Sequence, residues 1–202
     1  YGARSADQIR MVSENISRFL IEEGAKLIVV ACNTASAVAL DHLRTTFPHF
    51  NFVGMVPAVK PATQITNNDI IGVLATPATF QGQLYKSVTG RYGKGKTVIS
   101  QVCDGLVECV ENGDLDSPYT NELLWSCIEP LLRAGVDTLV MGCTHYAFLV
   151  PAIRRLVGDS VRLLEPSHAI AQQAKRILER EKLIRQKPDT PQKIYATTGD
   201  TD

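Results

Sequence analysis

Two stretches of this 202-residue chain follow one plan. Lys26-Leu-Ile-Val-Val-Ala-Cys32-Asn33-Thr34 and Asp137-Thr-Leu-Val-Met-Gly-Cys143-Thr144-His145 each pass from an apolar segment through a small residue to a cysteine, a polar cap and a helical segment. Such a strand delivers its cysteine to the start of the next helix, where free N–H groups and the helix dipole favour thiolate and can also hold carboxylates. Two such thiols, one in each of two related halves, suit proton transfer on opposite faces of one carbon. One thiolate takes the α-proton of an amino acid and the opposite thiol returns another, so the pair inverts the centre in either direction. A redox pair is the competing chemistry, but Cys32 and Cys143 lack the closeness of a CxxC motif. Cys103, Cys109 and Cys127 have no comparable setting and read as small buried hydrophobes.

The elements that must carry these thiols alternate along the chain. After Ser5, a good helix cap, Ile9, Val12, Ile16, Phe19 and Leu20 recur at helical spacing until Gly24. Strands are predicted at 27–31, 52–55, 70–75, 97–102, 138–141, 161–164 and 193–198. Helical stretches fall between most of them, including one ending near Thr46, one after Pro57, one over 80–88 and a solvated amphipathic one over 175–187. This is an α/β pattern with parallel sheets flanked by helices, arranged as two similar domains. The first is expected from 1–53 plus 166–202 and the second from 54–165. Ligands bind beyond the carboxyl ends of parallel strands. Both cysteines can therefore reach one α-carbon only across an interdomain cleft.

Composition narrows the remaining classes. Hydrophobic residues make up 45% and charged residues 21%, which is a folded, globular balance. The 21 Lys and Arg cancel the 21 Asp and Glu, so no field gathers nucleic acid or an anionic membrane. The apolar runs are far shorter than the roughly 20 residues of a membrane helix, and the first residues carry no targeting pattern. Five scattered cysteines, an odd number without CxxC spacing, argue against a disulfide framework and a zinc site and fit a reducing cytoplasm. Gly90-Arg-Tyr-Gly-Lys-Gly95-Lys96-Thr97 matches a nucleotide-binding P-loop in letters, but it leaves a helix and enters a strand, the reverse of a true P-loop. It reads as a glycine-rich turn. The sequon Asn15-Ile-Ser17 lies inside a predicted helix and is discarded.

Three segments carry a family resemblance. Val30-Ala-Cys-Asn-Thr-Ala-Ser36, Gly72-Val-Leu-Ala-Thr-Pro-Ala-Thr-Phe80 and Met141-Gly-Cys-Thr-His-Tyr146 resemble, in order, the glutamate racemases, cofactor-independent enzymes of the aspartate/glutamate racemase superfamily. Tyr1-Gly2-Ala3-Arg4-Ser5 is similar to that family's Pro-Tyr-Gly-x-Arg-Ser segment. The resemblance implies interconversion of L- and D-glutamate for peptidoglycan, with no cofactor and no metal; a related racemase acting on aspartate is the alternative. It implies Cys32 as the base for D-glutamate and Cys143 as the base for L-glutamate. It implies Tyr1, Gly2, Asn33, Thr34, Thr76 and Thr144 as substrate contacts, His145 as an auxiliary catalytic residue, and Glu111 as an acidic helper. From its place beside Asn112-Gly113 alone, Glu111 reads as a solvated charge. The partner it implies is a small molecule, and a homodimer is compatible with it. The family opens with a strand and an Asp-Ser-Gly loop and closes with a short helix; neither is in this sequence, so a chain shortened at both ends is expected.

Overall fold

The computed structural model describes residues 4–186, 190 and 192–199. Ser5 opens the first helix with a reciprocal cap. Its hydroxyl accepts the Gln8 N–H at 3.3 Å, and Gln8 Oε1 accepts the Ser5 N–H at 3.0 Å. Helix α1 (Ala6–Glu22) ends at a turn through Gly24, whose φ of +85° suits a residue without Cβ. Strand β1 (Ile28–Val30), helix α2 (Asn33–Thr46) and strand β2 (Phe52–Gly54) follow, and β1 pairs with β2 in parallel. Ile9, Ile28, Ala35, Ala39, Leu40, Leu43 and Phe52 form the core of this part. The buried line of α1 differs from the expected apolar stripe. Ile9, Ser13 and Ser17 face inward, while Phe19 is 46% exposed. Small residues let α1 lie close against α2, and Ser17 satisfies its buried hydroxyl on Ser13 O at 2.7 Å.

The second sheet has the order β4-β3-β5-β6, all parallel. In chain order its elements are α3 (Val59–Ile65), β3 (Ile70–Ala75), α4 (Pro77–Gln81), α5 (Gln83–Tyr92), β4 (Thr97–Val102), α6 (Leu106–Glu111), α7 (Pro118–Arg133), β5 (Thr138–Met141), a 3₁₀ helix (Thr144–Leu149), α8 (Val150–Val157) and β6 (Arg162–Leu164). Alternate residues serve the two faces, as the strand repeat of two requires. Ile71, Val73 and Val140 pack with Val59, Ala62 and Tyr85 of α3 and α5. Leu74, Leu139 and Met141 pack with Leu106, Leu124, Ile128 and Ile153 of α6, α7 and α8. The chain runs from β3 outward to β4, then back past β3 to β5. That reversal opens a crevice between the carboxyl ends of β3 and β5, the place where ligands bind in open parallel sheets.

Several expectations need correction. Residues 193–198 form no strand: no described strand lies beside them to complete a ladder, and Ile194 and Tyr195 are 77% and 89% exposed. The described sheets thus hold six strands rather than seven. The helix expected over 175–187 is α9 (Ser167–Arg180), which stops early because Lys182 takes a φ of +57°. Leu183 N–H then bonds Leu178 O, and Lys182 N–H bonds Glu179 O, satisfying carbonyls that the helix end would orphan. The stretch over 80–88 is two helices, broken at Gly82. The P-loop-like segment leaves α5 and enters β4, as its sequence context indicates, and its Lys96 pairs with Asp69. Asn15 lies within α1. Among the described residues no helix is long and apolar enough to cross a membrane.

Candidate active site

Cys32 is the N-cap of α2, in extended backbone (φ −141°, ψ 125°), and its Sγ accepts the Ala35 N–H at 3.4 Å. One turn on, Ser36 holds the surrounding loop. Its hydroxyl donates to Val30 O at 3.0 Å and accepts the Met55 N–H at 2.8 Å, which ties the end of β1 to the residue after β2. Asn33 is only 3% exposed, and both polar atoms of its carboxamide lack a hydrogen-bond partner among the described residues. Such a group is costly in an unliganded fold and points to a polar ligand. Thr34 Oγ1 lies 2.9 Å from Thr76 Oγ1 and 3.4 Å from Thr79 Oγ1, and Thr76 and Thr79 are 3.1 Å apart. Thr76 caps α4 at the end of β3. The hydroxyl triad therefore joins the start of α2 to the crevice of the second sheet.

Cys143 occupies the matching place after β5, capping the 3₁₀ helix in extended backbone (φ −132°, ψ 136°). Gly142 gets it there: its N–H bonds Leu74 O at 2.7 Å, and a Cβ would lie 2.7 Å from both Ala75 Cβ and Leu74 O. Only a residue without a side chain lets β5 end this close to β3. His145 Nδ1 lies 3.8 Å from Cys143 Sγ, and its Nε2 is hydrogen-bonded to Glu111 Oε1. Since a carboxylate only accepts, Nε2 donates; in the neutral ring Nδ1 then presents its lone pair to the thiol. Burial is the main force on Cys143 and pushes its thiol up to about 11, against the pull of the His145 and Tyr146 N–H groups. Charge on Cys32 pushes it further the same way, so the two thiols resist being anions together. Behind them Tyr146 is fully buried and donates its hydroxyl to Cys103 O at 3.0 Å.

The sequence of the whole chain decides the family. The pattern described as Asp/Glu/Hydantoin racemase matches residues 2–174. The chain belongs to that family. A glutamate racemase from Roseiflexus sp. (strain RS-1) is 50% identical over 201 residues, covering 99% of this chain and 74% of the relative. A crystal structure of a glutamate racemase isoform from Bacillus anthracis superposes with a TM-score of 0.82 at 29% identity, over 92% of this chain and 70% of that one. The Escherichia coli glutamate racemase, solved with L-glutamate and an activator, superposes with a TM-score of 0.80 at 33% identity, over 89% and 68%.

Within this racemase-family chain the structure brings most of the expected residues together. Cys32, Asn33 and Thr34 open α2, with Thr34 on Thr76 at the end of β3; Cys143, Thr144 and His145 follow β5, with Glu111 on His145. Thr144 is half-buried as the first residue of the 3₁₀ helix. Tyr1 and Gly2 lie outside the described residues. Cys103, Cys109 and Cys127 are buried, and the thiols of Cys103 and Cys127 meet inside the core. Glu111 is surface-exposed, yet it is engaged with His145 rather than solvated alone. Sequence reasoning missed Thr79, Ser36 and Gly142. Thr79 had a signal, its spacing of three from Thr76 across a Pro-started helix; Ser36 and Gly142 act through contacts distant in sequence. Among the described residues no group of three or more His, Cys, Asp or Glu side chains is placed to hold a metal ion.

Proposed function

We propose that this protein is a cofactor-independent glutamate racemase, interconverting L- and D-glutamate by proton transfer between two thiols. What supports it most is the pair of cysteines, each at the N-terminus of the helical segment after a strand, in different sheets, yet close enough to feel each other's charge. The relatives named glutamate racemase point to the same substrate. Aspartate is the alternative substrate, with the same proton chemistry.

For L-glutamate, Cys143 passes its S–H proton to His145 Nδ1, and the imidazolium so formed is stabilised by Glu111. The Cys143 thiolate then takes the α-proton, leaving a planar carbanion, and the Cys32 thiol protonates the opposite face. Cys32 is left as thiolate, Cys143 as thiol and His145 as imidazolium, the arrangement that abstracts from D-glutamate in the reverse direction; exchange with solvent moves the His145 proton to Cys32 before the next L-glutamate. Asn33, Thr34, Thr76 and Thr144 hold the ammonium and carboxylate groups, helped by the free N–H groups at the start of α2. By the family resemblance Tyr1 and Gly2 are further substrate contacts; they lie outside the described residues. The two sheets correspond to two domains, 1–53 with 166–202 and 54–165; contact of α9 with β2 favours placing the last helix in the first. The product would serve peptidoglycan synthesis in the cytoplasm. A single copy holds both thiols, and a homodimer is compatible with this scheme.

The test is to incubate the full-length protein with L-glutamate in D₂O, without pyridoxal phosphate. The expected product is D-glutamate carrying deuterium at the α-carbon. Turnover of aspartate with none of glutamate would assign the alternative substrate, and dependence on added pyridoxal phosphate would overturn the two-thiol chemistry.

A further inference from the structure

We propose that Gly82 is a positioning residue for the two-thiol reaction: its missing side chain lets the α4–α5 junction seat on Ala37 of α2, and that seat sets the gap between Cys32 and Cys143. The proposal rests on the two-thiol reading above. Gly82 has φ −64° and ψ 138°, a conformation open to any residue, so the backbone does not call for glycine here. Space does. A Cβ at position 82 would stand 2.5 Å from Ala37 Cβ and 3.3 Å from Thr79 O. Ala37 Cβ is fixed to its helix and cannot rotate away, so relief must come from moving α2 away from α4. Close-packed interiors do not absorb such a shift locally.

The shift would be transmitted to the site by short, stiff links. Ala37 follows Thr34 by three residues and shares its helix face, while Gly82 follows Thr79 by three. The two helices thus meet at two points one turn apart, Ala37 on Gly82 and Thr34 on Thr79 and Thr76. Beyond this seat α5 leaves α2 around a cavity of about 200 Å³ lined by Ala37, Leu40 and Asp41 of α2 and by Gln83, Leu84 and Ser87 of α5. Cys32 caps α2, and Thr76 caps α4 from β3, whose paired neighbour β5 leads to Cys143. Separating α2 from α4 therefore moves one thiol relative to the other. A reaction that needs both thiols on one carbon suffers more than a reaction that needs only one.

The experiment compares full-length wild type, Gly82→Ala, Ala37→Gly and the double variant. Gly82→Ala is expected to lower racemisation kcat about 10- to 100-fold, the cost of an ångström-scale misplacement, while KM changes less than about threefold. Exchange of the α-proton with D₂O, which one thiol can perform alone, should fall less, so the ratio of exchange to racemisation rises. Cross-linking of Cys32 to Cys143 by dibromobimane, read by peptide mapping, should fall in Gly82→Ala and return in the double variant together with kcat. An unchanged cross-link yield and exchange ratio in folded Gly82→Ala would overturn the proposal, as would a double variant that folds but stays impaired. If Gly82→Ala does not fold, Ala37→Ser adds one atom to the same contact and must show the same pattern; a wild-type pattern there overturns it. A wild type that does not racemise glutamate would fail the proposed function, while the cross-link comparison would still decide the role of Gly82.

Discussion

Thr34 Oγ1 stands 2.9 Å from Thr76 Oγ1, although 42 residues separate them. One hydroxyl belongs to the helix after β1 and the other to the turn after β3, so this contact ties together the ends of strands from two sheets that share no strand. The three mutual contacts of the triad with Thr79 use the three hydroxyl protons, so half-buried Thr76 donates to a ligand only by giving up one of them. Thr76→Val should raise KM for glutamate up to about tenfold, the scale of one net hydrogen bond, with Thr76→Ser close to wild type. Steady-state kinetics on the three proteins checks it; equal KM in all three would remove Thr76 from the substrate contacts.

Loss of either candidate base should separate inversion from exchange. Cys32→Ala and Cys143→Ala are each expected to lower racemisation by at least about 10³-fold, in line with removal of an essential proton donor or acceptor. Each should still allow some α-deuterium incorporation from one enantiomer. Cys103→Ala, Cys109→Ala and Cys127→Ala should keep the chemistry and lose about 1–2 kcal/mol of stability through lost packing. NMR of the α-proton beside chiral analysis of the product reads both quantities.

Asn33 offers a different signature. Its buried carboxamide lacks a partner among the described residues, so replacing it removes an unfavourable group from the free enzyme as well as a ligand contact from the complex. Asn33→Leu should therefore keep or raise Tm while raising KM at least about tenfold. A variant that lost several degrees of Tm together with activity would show Asn33 to be structural.

Because Glu111 grips His145 Nε2 and leaves Nδ1 facing Cys143, the two substitutions should act in series. His145→Gln is expected to lower kcat about 10²-fold and Glu111→Gln about tenfold, and the double variant should be little worse than His145→Gln alone. Additive losses would mean that Glu111 acts independently of His145.

The Cys143 thiol, pushed up to about 11 from the ordinary 9.0, carries a pH dependence with a definite sign. Its folded value lies above its unfolded one, so the unfolded chain releases the proton first. The stability linked to this group is fully present below about pH 9 and is lost as pH rises from about 9 toward 11. Wild type should lose more stability than Cys143→Ala across that window in urea titrations. Iodoacetamide should label Cys143 slowly at pH 8 and progressively faster toward pH 11, as read by mass spectrometry. Rapid labelling at pH 8 would contradict a thiol held protonated by burial.

The sequence by itself determined the α/β alternation, most strand positions, the Ser5 cap and the two places where a cysteine leaves a strand for a helix. These are local properties: apolar runs, caps and breakers act within a few residues. It could not determine which neighbours each strand has, because parallel pairing joins segments far apart in the chain. Residues 193–198 have strand composition, but no described strand pairs with them; α9 has helical composition past Arg180, but Lys182 turns the chain away. At the site, the strand-to-helix position indicated the two cysteines, while His145 and Glu111 came only from the family resemblance; from its own neighbours in sequence Glu111 reads as an exposed acid. Only the packing of α6 against the 3₁₀ helix brings its carboxylate to the imidazole. In the same way, nothing local marks Gly82 or Gly142, because each matters through an atom contributed by another element: the Cβ of Ala37, the end of β3; Thr79 is spaced three from Thr76, but its partner in α2 is fixed only by packing. Local sequence decided which groups can take and give a proton; tertiary packing decided the distances at which they face each other, since it alone fixes contacts between residues remote in the chain.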